Sequence, residues 1–99
     1  MKLHIARLAL LDLQEIRSSS RALWGARLTR DYLRGVDATM GRIAKRPLQF
    51  ASLDDLPRYR RARAGQHLVY YIFEDGEAEV RVVRVLHERM DAERHLSRD

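Results

Sequence analysis

The chain is predicted to fold as an α+β domain, in the order β-α-α-β-β-β, with a helical hairpin on one face of a mainly antiparallel sheet. Three observations lead there. In the first half, Leu28, Tyr32, Val36, Met40 and Ile43 recur at helical spacing and form one apolar stripe. In the second half the period changes to the alternation of strands. Within it, Val69, Tyr71 and Phe73 alternate with Leu68, Tyr70 and Ile72, so a strand there is apolar on both faces and belongs near the centre of a sheet. Helices first and strands after them place the helices in a layer of their own.

Taken in order, Lys2 to Ala6 alternates with Leu3 and Ile5 on one face, and reads as a short first strand. From about Leu8 to Ser19, Ala9, Leu13 and Ile16 sit at helical spacing, with Asp12, Glu15 and Arg17 facing outward. Ser18-Ser19-Ser20 is a poor helix interior and is expected to end this first helix. The second helix is expected from about Leu23–Ala26 to Lys45. Gly35 and Gly41 lie inside it, each costing about 1 kcal/mol against alanine, so a close neighbour or strong packing is expected there. Arg42, Lys45 and Arg46 suit the negative end of the helix dipole, and Pro47 stops the helix.

Leu48 to Arg58 reads as a loop returning to the sheet, and Tyr59 to Ala64 as a strand turned by Gly65 into the central one. Asp75-Gly76 supplies the positive φ angles of a two-residue hairpin turn. The last strand is expected from about Glu77 to Leu86, with Val80, Val82 and Leu86 on one side and Val83 and Val85 on the other. Met90 to Leu96 suggests one helical turn, and positions 96–99 a frayed tail. No repeat or linker divides residues 1–99, so one domain is expected.

Nineteen basic against fourteen acidic side chains leave a formal charge of +5, which suggests an anionic or acidic partner as readily as a solvated surface. The chain has no cysteine, so disulfides and thiolate metal sites are excluded, consistent with a cytoplasmic location. The N-terminal apolar stretch is broken by His4, Arg7, Asp12 and Glu15, so neither a signal-peptide core nor a membrane span is expected.

Arg58, Arg60, Arg61 and Arg63 concentrate positive charge on one strand, with Arg61 and Arg63 sharing a face. Arginine forks hold phosphate or carboxylate oxygens, and a histidine such as His87 at a strand end can move a proton near neutral pH. His87, Arg61 and Arg84 are thus the candidate set for phosphodiester cleavage. The alternative is a partner-facing basic edge with His87 as a structural hydrogen-bonding group. His67, just after a turn, reads as structural. His4 and His95 show no ligand partners, and no metal or cofactor is expected. Trp24 sits where the helices join, either anchoring a partner or pinning the hairpin to the core. Of Tyr70 and Tyr71, one is expected in the core and the other on an open sheet face.

The whole pattern resembles the ParE toxins of the RelE/ParE toxin–antitoxin superfamily, also described as plasmid stabilisation toxins. The residues that carry the resemblance are DLQEI from Asp12 to Ile16, Trp24-Gly25, YRRARAGQHLVYY from Tyr59 to Tyr71, and RVVRVLHERMDAERHL from Arg81 to Leu96. The resemblance implies a small toxin held inactive by a ParD-like antitoxin, whose extended acidic segment wraps it as a helix and a strand. It also implies growth arrest by inhibition of DNA gyrase, without catalysis, and no sequence-specific DNA binding by this chain alone. The RelE branch instead cleaves messenger RNA on the ribosome. No tyrosine follows the last strand here, where RelE-like enzymes commonly place one, which ranks gyrase inhibition above RNA cleavage. The expected antitoxin contacts are Arg58, Arg60, Arg61, Arg63, Trp24 and Tyr70.

Overall fold

A computed structural model describes residues 1–74, 76 and 78–96. The elements run in the order β1 (Lys2–Ile5), α1 (Arg7–Lys45), β2 (Tyr59–Ala64), β3 (His67–Ile72), β4 (Glu79–His87) and α2 (Ala92–Leu96). The strands form one sheet in the order β1-β4-β3-β2. β1 runs parallel to β4, and the β2–β3 and β3–β4 pairs are antiparallel. The doubly apolar β3 therefore lies inside the sheet, as its sequence requires.

α1 is bent, not straight. Its 39 residues would extend ~58 Å at 1.5 Å per residue, beyond the molecule's longest dimension of 41 Å. The bend is at Gly25, with φ 85° and ψ 174°. A side chain on an L-residue disfavours this conformation, which is why glycine stands there. Two arms result, and Leu13 and Arg17 of the first line one hollow with Leu33 and Asp37 of the second. The expected helical hairpin is thus present, but its break is one glycine and not the serine run. Ser18 to Ser20 are helical. Ser19 donates to the Glu15 carbonyl at 2.9 Å, a bond that lets serine remain in a helix, and Ser20 is buried.

The arms cover one sheet face. Ala9, Ile16, Val36, Met40 and Ile43 pack there on Val69, Tyr71, Val80, Val82 and Val85. Each large side chain so buried contributes about 1.5–3 kcal/mol. Gly35 and Gly41 have open space where a Cβ would stand, so no neighbour approaches them closely. Packing of the opposite stripe carries their cost.

The other sheet face is covered too, contrary to the open face expected. Tyr59, Leu68, Tyr70, Ile72, Val83 and Leu86 form a second cluster under Leu96, with Leu53, Leu56 and Ala92 at its margin. Both central tyrosines are consequently buried, Tyr70 at 2% exposure and Tyr71 at 0%. The segment before β2 is tied down by Leu53 N–H to the Tyr59 carbonyl and by Tyr71 Oη–H to the Pro47 carbonyl.

β4 departs from simple alternation. Tyr70 pairs with Arg84 but Tyr71 pairs with Val82, so Val83 is the extra residue of a β-bulge. The bulge reverses the facing of the residues after it. Val85 joins Val80 and Val82 under α1, and Leu86 joins Val83 on the far face. The expected pairings of Leu86 with Val80 and of Val85 with Val83 are thereby corrected. Gly76 has a positive φ of 86°, but β3 ends at Ile72 and β4 begins at Glu79, so the connection is longer than the two-residue turn expected and the last strand starts later than Glu77; Asp75, Glu77 and the tail at 97–99 lie outside the described residues.

Candidate functional site

The register sets His67 and His87 directly opposite each other where β3 begins and β4 ends. Their rings meet edge to face, with centroids 5.4 Å apart. Tyr32, from the second arm of α1, lies edge-on to His67 at 5.5 Å, and Trp24 leans on Tyr32 at 6.5 Å. Four rings thus run in a row from the bend of α1 to the end of β4.

Tyr32 is locked in place. Its hydroxyl accepts the Gln66 N–H at 3.0 Å and lies 2.5 Å from His67 Nδ1 and 3.2 Å from the Ala64 carbonyl oxygen. Gly65, at φ 59°, allows this approach: a Cβ there would stand 2.6 Å from the Tyr32 ring. Burial, and next the neighbouring His87, hold the His67 pKa below its ordinary 6.5, against the opposing pull of the Asp12 and Glu88 carboxylates.

Beside the histidines lies a cavity of about 430 Å³. Its walls include Ile16, Leu23, Trp24, Val85 and Met90, with Asp12, Glu15, His67 and His87 as its titratable members. Leu23, Trp24 and Met90 are 73%, 51% and 49% exposed, so apolar surface rims the opening. Asp12 is engaged by Arg84: Nε donates to Oδ2 at 2.8 Å and Nη2 to Oδ1 at 2.9 Å. The Val85 N–H also reaches Oδ2, at 2.9 Å. The bulge presents this guanidinium and amide together to the helix carboxylate.

The expected cleavage set is not brought together. Arg84 is held by Asp12, and Arg61 stands on the far sheet face with Asp54, Asp55, Asp91 and Glu93 around the same hollow. His87 instead meets His67, which Tyr32 in turn holds, and residue types did not reveal this. The one available signal was the symmetrical placing of His67 and His87 at the two ends of an antiparallel pair. Among the described residues no group of three or more histidines or carboxylates is placed to hold a metal ion.

The β2 arginines are also dispersed. Arg58 pairs with Glu74 at 3.1 Å and Arg63 with Glu88 at 2.8 Å. Arg60 donates to the Phe50 carbonyl at 2.5 Å. Arg61 and Arg63 share the face away from α1, as alternation required. Tyr70 offers no surface to a partner. Trp24 is half-exposed at the bend of α1 and is not a core residue. On the outer side of the two arms runs a second groove, lined by Arg17, Arg21, Arg30 and Arg34 with Thr29 and Leu33. It continues past Leu10 and Leu13. Sequence reading placed the hairpin but not these four arginines on one groove, because that depends on where the bend falls.

Known proteins share both sequence and fold with this chain. The family described as "ParE toxin of type II toxin-antitoxin system, parDE" matches residues 3–92. A "Toxin ParE1" of Mycobacterium tuberculosis is 38% identical over 85 residues, 85% of this chain and 86% of the relative. A "Toxin ParE1" of Caulobacter vibrioides is 36% identical over 93 residues, covering 93% and 94%. Among solved structures, a chain of "Chromosomal ParDE TA system from P. aeruginosa" superposes with a TM-score of 0.76 at 17% identity, over 88% of this chain and 95% of that one.

Proposed function

Because this chain belongs to the ParE toxin family of type II parDE toxin–antitoxin systems, we propose that a ParD-like antitoxin neutralises it and that, once freed, it arrests replication by binding DNA gyrase. The observation that carries a binding mode over cleavage is the separation of the cleavage candidates. Arg84 is tied to Asp12, and Arg61 lies on the far side of the sheet from α1. A phosphoryl transition state needs its cations preorganised around it, and neither stands ready beside His87.

The antitoxin is taken to lie along the outer groove of the α1 arms and the β2 edge. Arg17, Arg21, Arg30 and Arg34 flank apolar Leu10, Leu13 and Leu33 there, which suits an acidic amphipathic segment that folds on binding. β2 ends the sheet. Ser52 and Leu53 already pair with its Arg60 and Tyr59, and its Arg61 and Arg63 supply charge beside the rest of that edge, to which a strand can be added. Trp24 supplies an exposed aromatic anchor at the bend.

A supercoiling assay with purified DNA gyrase, run with and without the antitoxin, tests this reading. Loss of supercoiling, relieved by antitoxin, is the expected outcome. Undiminished supercoiling in the presence of folded protein would favour ribosome-dependent messenger RNA cleavage, with His87 the first residue to replace.

A further inference from the structure

We propose that His67 and His87 form a proton-sensitive latch, in which charging the pair releases the turn at residues 88–90 and with it the Met90 wall of the groove. The latch does not depend on what the groove binds or on the gyrase reading.

Its basis is the hydrogen-bond chemistry of the two rings. Nδ1 of His87 accepts the backbone N–H of Arg89 at 3.2 Å. An amide N–H can only donate, so this nitrogen carries a lone pair and the neutral ring holds its proton on Nε2. A second proton has only Nδ1 to occupy. There it becomes a donor facing a donor, and the Arg89 bond is lost. His67 is held differently. The Tyr32 hydroxyl has one proton and two acceptors within reach, His67 Nδ1 and the Ala64 carbonyl. When His67 is charged, its Nδ1–H donates to the hydroxyl oxygen and the hydroxyl proton turns to Ala64. Its anchor therefore survives protonation, whereas that of His87 does not.

The surroundings do little to neutralise a charged pair. From the first arm of α1, Asp12 is engaged by Arg84, and Glu15 exchanges a 3.2 Å contact with Ser19. From the second arm the neutral Tyr32 faces the rings. After β4, Glu88 is engaged by Arg63 of β2, and Arg89 adds a further positive charge to the turn. With His67 fixed and 5.4 Å away, repulsion acts on the less firmly held partner. The turn is exposed, and apart from the Arg89 bond it is held by Met90 N–H to the His87 carbonyl and Glu88 N–H to the Gln66 carbonyl, both at 2.9 Å. Burial of His67 adds a preference for its neutral state at physiological pH.

NMR of the full chain tests the latch. Between about pH 7.5 and about pH 5.5, a range that spans ordinary histidine titration, the exchange protection of the Arg89 amide should fall roughly fivefold after correction for intrinsic exchange, as for loss of one hydrogen bond. The Met90 methyl resonance should move along the same curve as the His87 ring resonance, while Val69 in the core keeps its protection. In His87→Asn, the side-chain carbonyl stands near the place of Nδ1 and accepts the Arg89 amide without titrating, so the transition should vanish. An unchanged Arg89 amide in the unaltered protein would overturn the latch. So would a transition that persists in His87→Asn, or a Met90 shift that accompanies loss of Val69 protection.

Discussion

Asp12 and Arg84 stand 72 positions apart in sequence and form a two-pronged ion pair at 2.8 and 2.9 Å, with side chains only 15% and 13% exposed. The same carboxylate accepts the Val85 N–H. It thus fastens the first arm of α1 to β4 just past the bulge, on the wall of the histidine groove.

Replacing Asp12 by alanine removes the carboxylate to which both the nearly buried Arg84 guanidinium and the Val85 N–H donate. The expected loss is about 3 kcal/mol of stability, the scale for breaking one side of a buried pair, measured by urea unfolding. Asp12→Leu combined with Arg84→Met should recover much of it, since apolar packing replaces both charges. A double variant as unstable as Asp12→Ala would show that the pair is not the source.

Gly65→Ala should be costly for two separable reasons. A residue other than glycine at φ 59° pays about 1 kcal/mol. The new Cβ would also meet the Tyr32 ring at 2.6 Å. A total loss of about 2–3 kcal/mol is expected from overpacking added to backbone strain. In a Tyr32→Ala background the steric part should disappear, so the two substitutions should be non-additive in a double-mutant cycle.

His67 predicts a pH dependence of definite sign. Its folded pKa lies below the ordinary 6.5, so as pH falls the unfolded chain takes up this proton first. Its contribution to stability is complete above about pH 6.5, is lost as pH falls from there towards the folded pKa, and is constant below it. Denaturation midpoints measured across that window should rise with pH. His67→Asn, which keeps an acceptor for the Tyr32 hydroxyl but does not titrate, should flatten that part of the curve.

Charge reversal at Arg61 and Arg63 should weaken antitoxin binding by roughly tenfold or more at moderate salt, with the difference shrinking as salt rises, because rim charges act through long-range attraction that salt screens. Calorimetric titration of the paired proteins measures it. An unchanged affinity would remove β2 from the interface and leave the outer groove of α1.

The element types were legible from residue order because periodicity is local. Stripes at Ala9, Ile16, Val36 and Ile43 and the double-sided β3 required no knowledge of partners, and each reappears on the face its spacing assigned; Leu28, read as part of the second stripe, is instead exposed. The serine run misled because propensity is weak beside packing: Ser20 is buried and Ser19 bonds to its own helix, so the chain bends at Gly25 instead. The cover over the second sheet face was not legible, since Leu53, Leu56 and Leu96 come from a loop and a single short turn with no period of their own.

Residue order alone was thus enough for the class of fold, the order of its elements and the family, all of which rest on short-range pattern and on runs of adjacent residues. The site needed the folded chain. An extra residue at Val83 decides which face Val85 and Leu86 take, and strand register decides that His87 meets His67. The bend at Gly25 folds back the arm that carries Tyr32, whose hydroxyl then reaches His67. These depend on contacts between residues 11 to 35 positions apart, and such contacts are set by how strands pair and a helix folds back, not by which residues are neighbours in sequence.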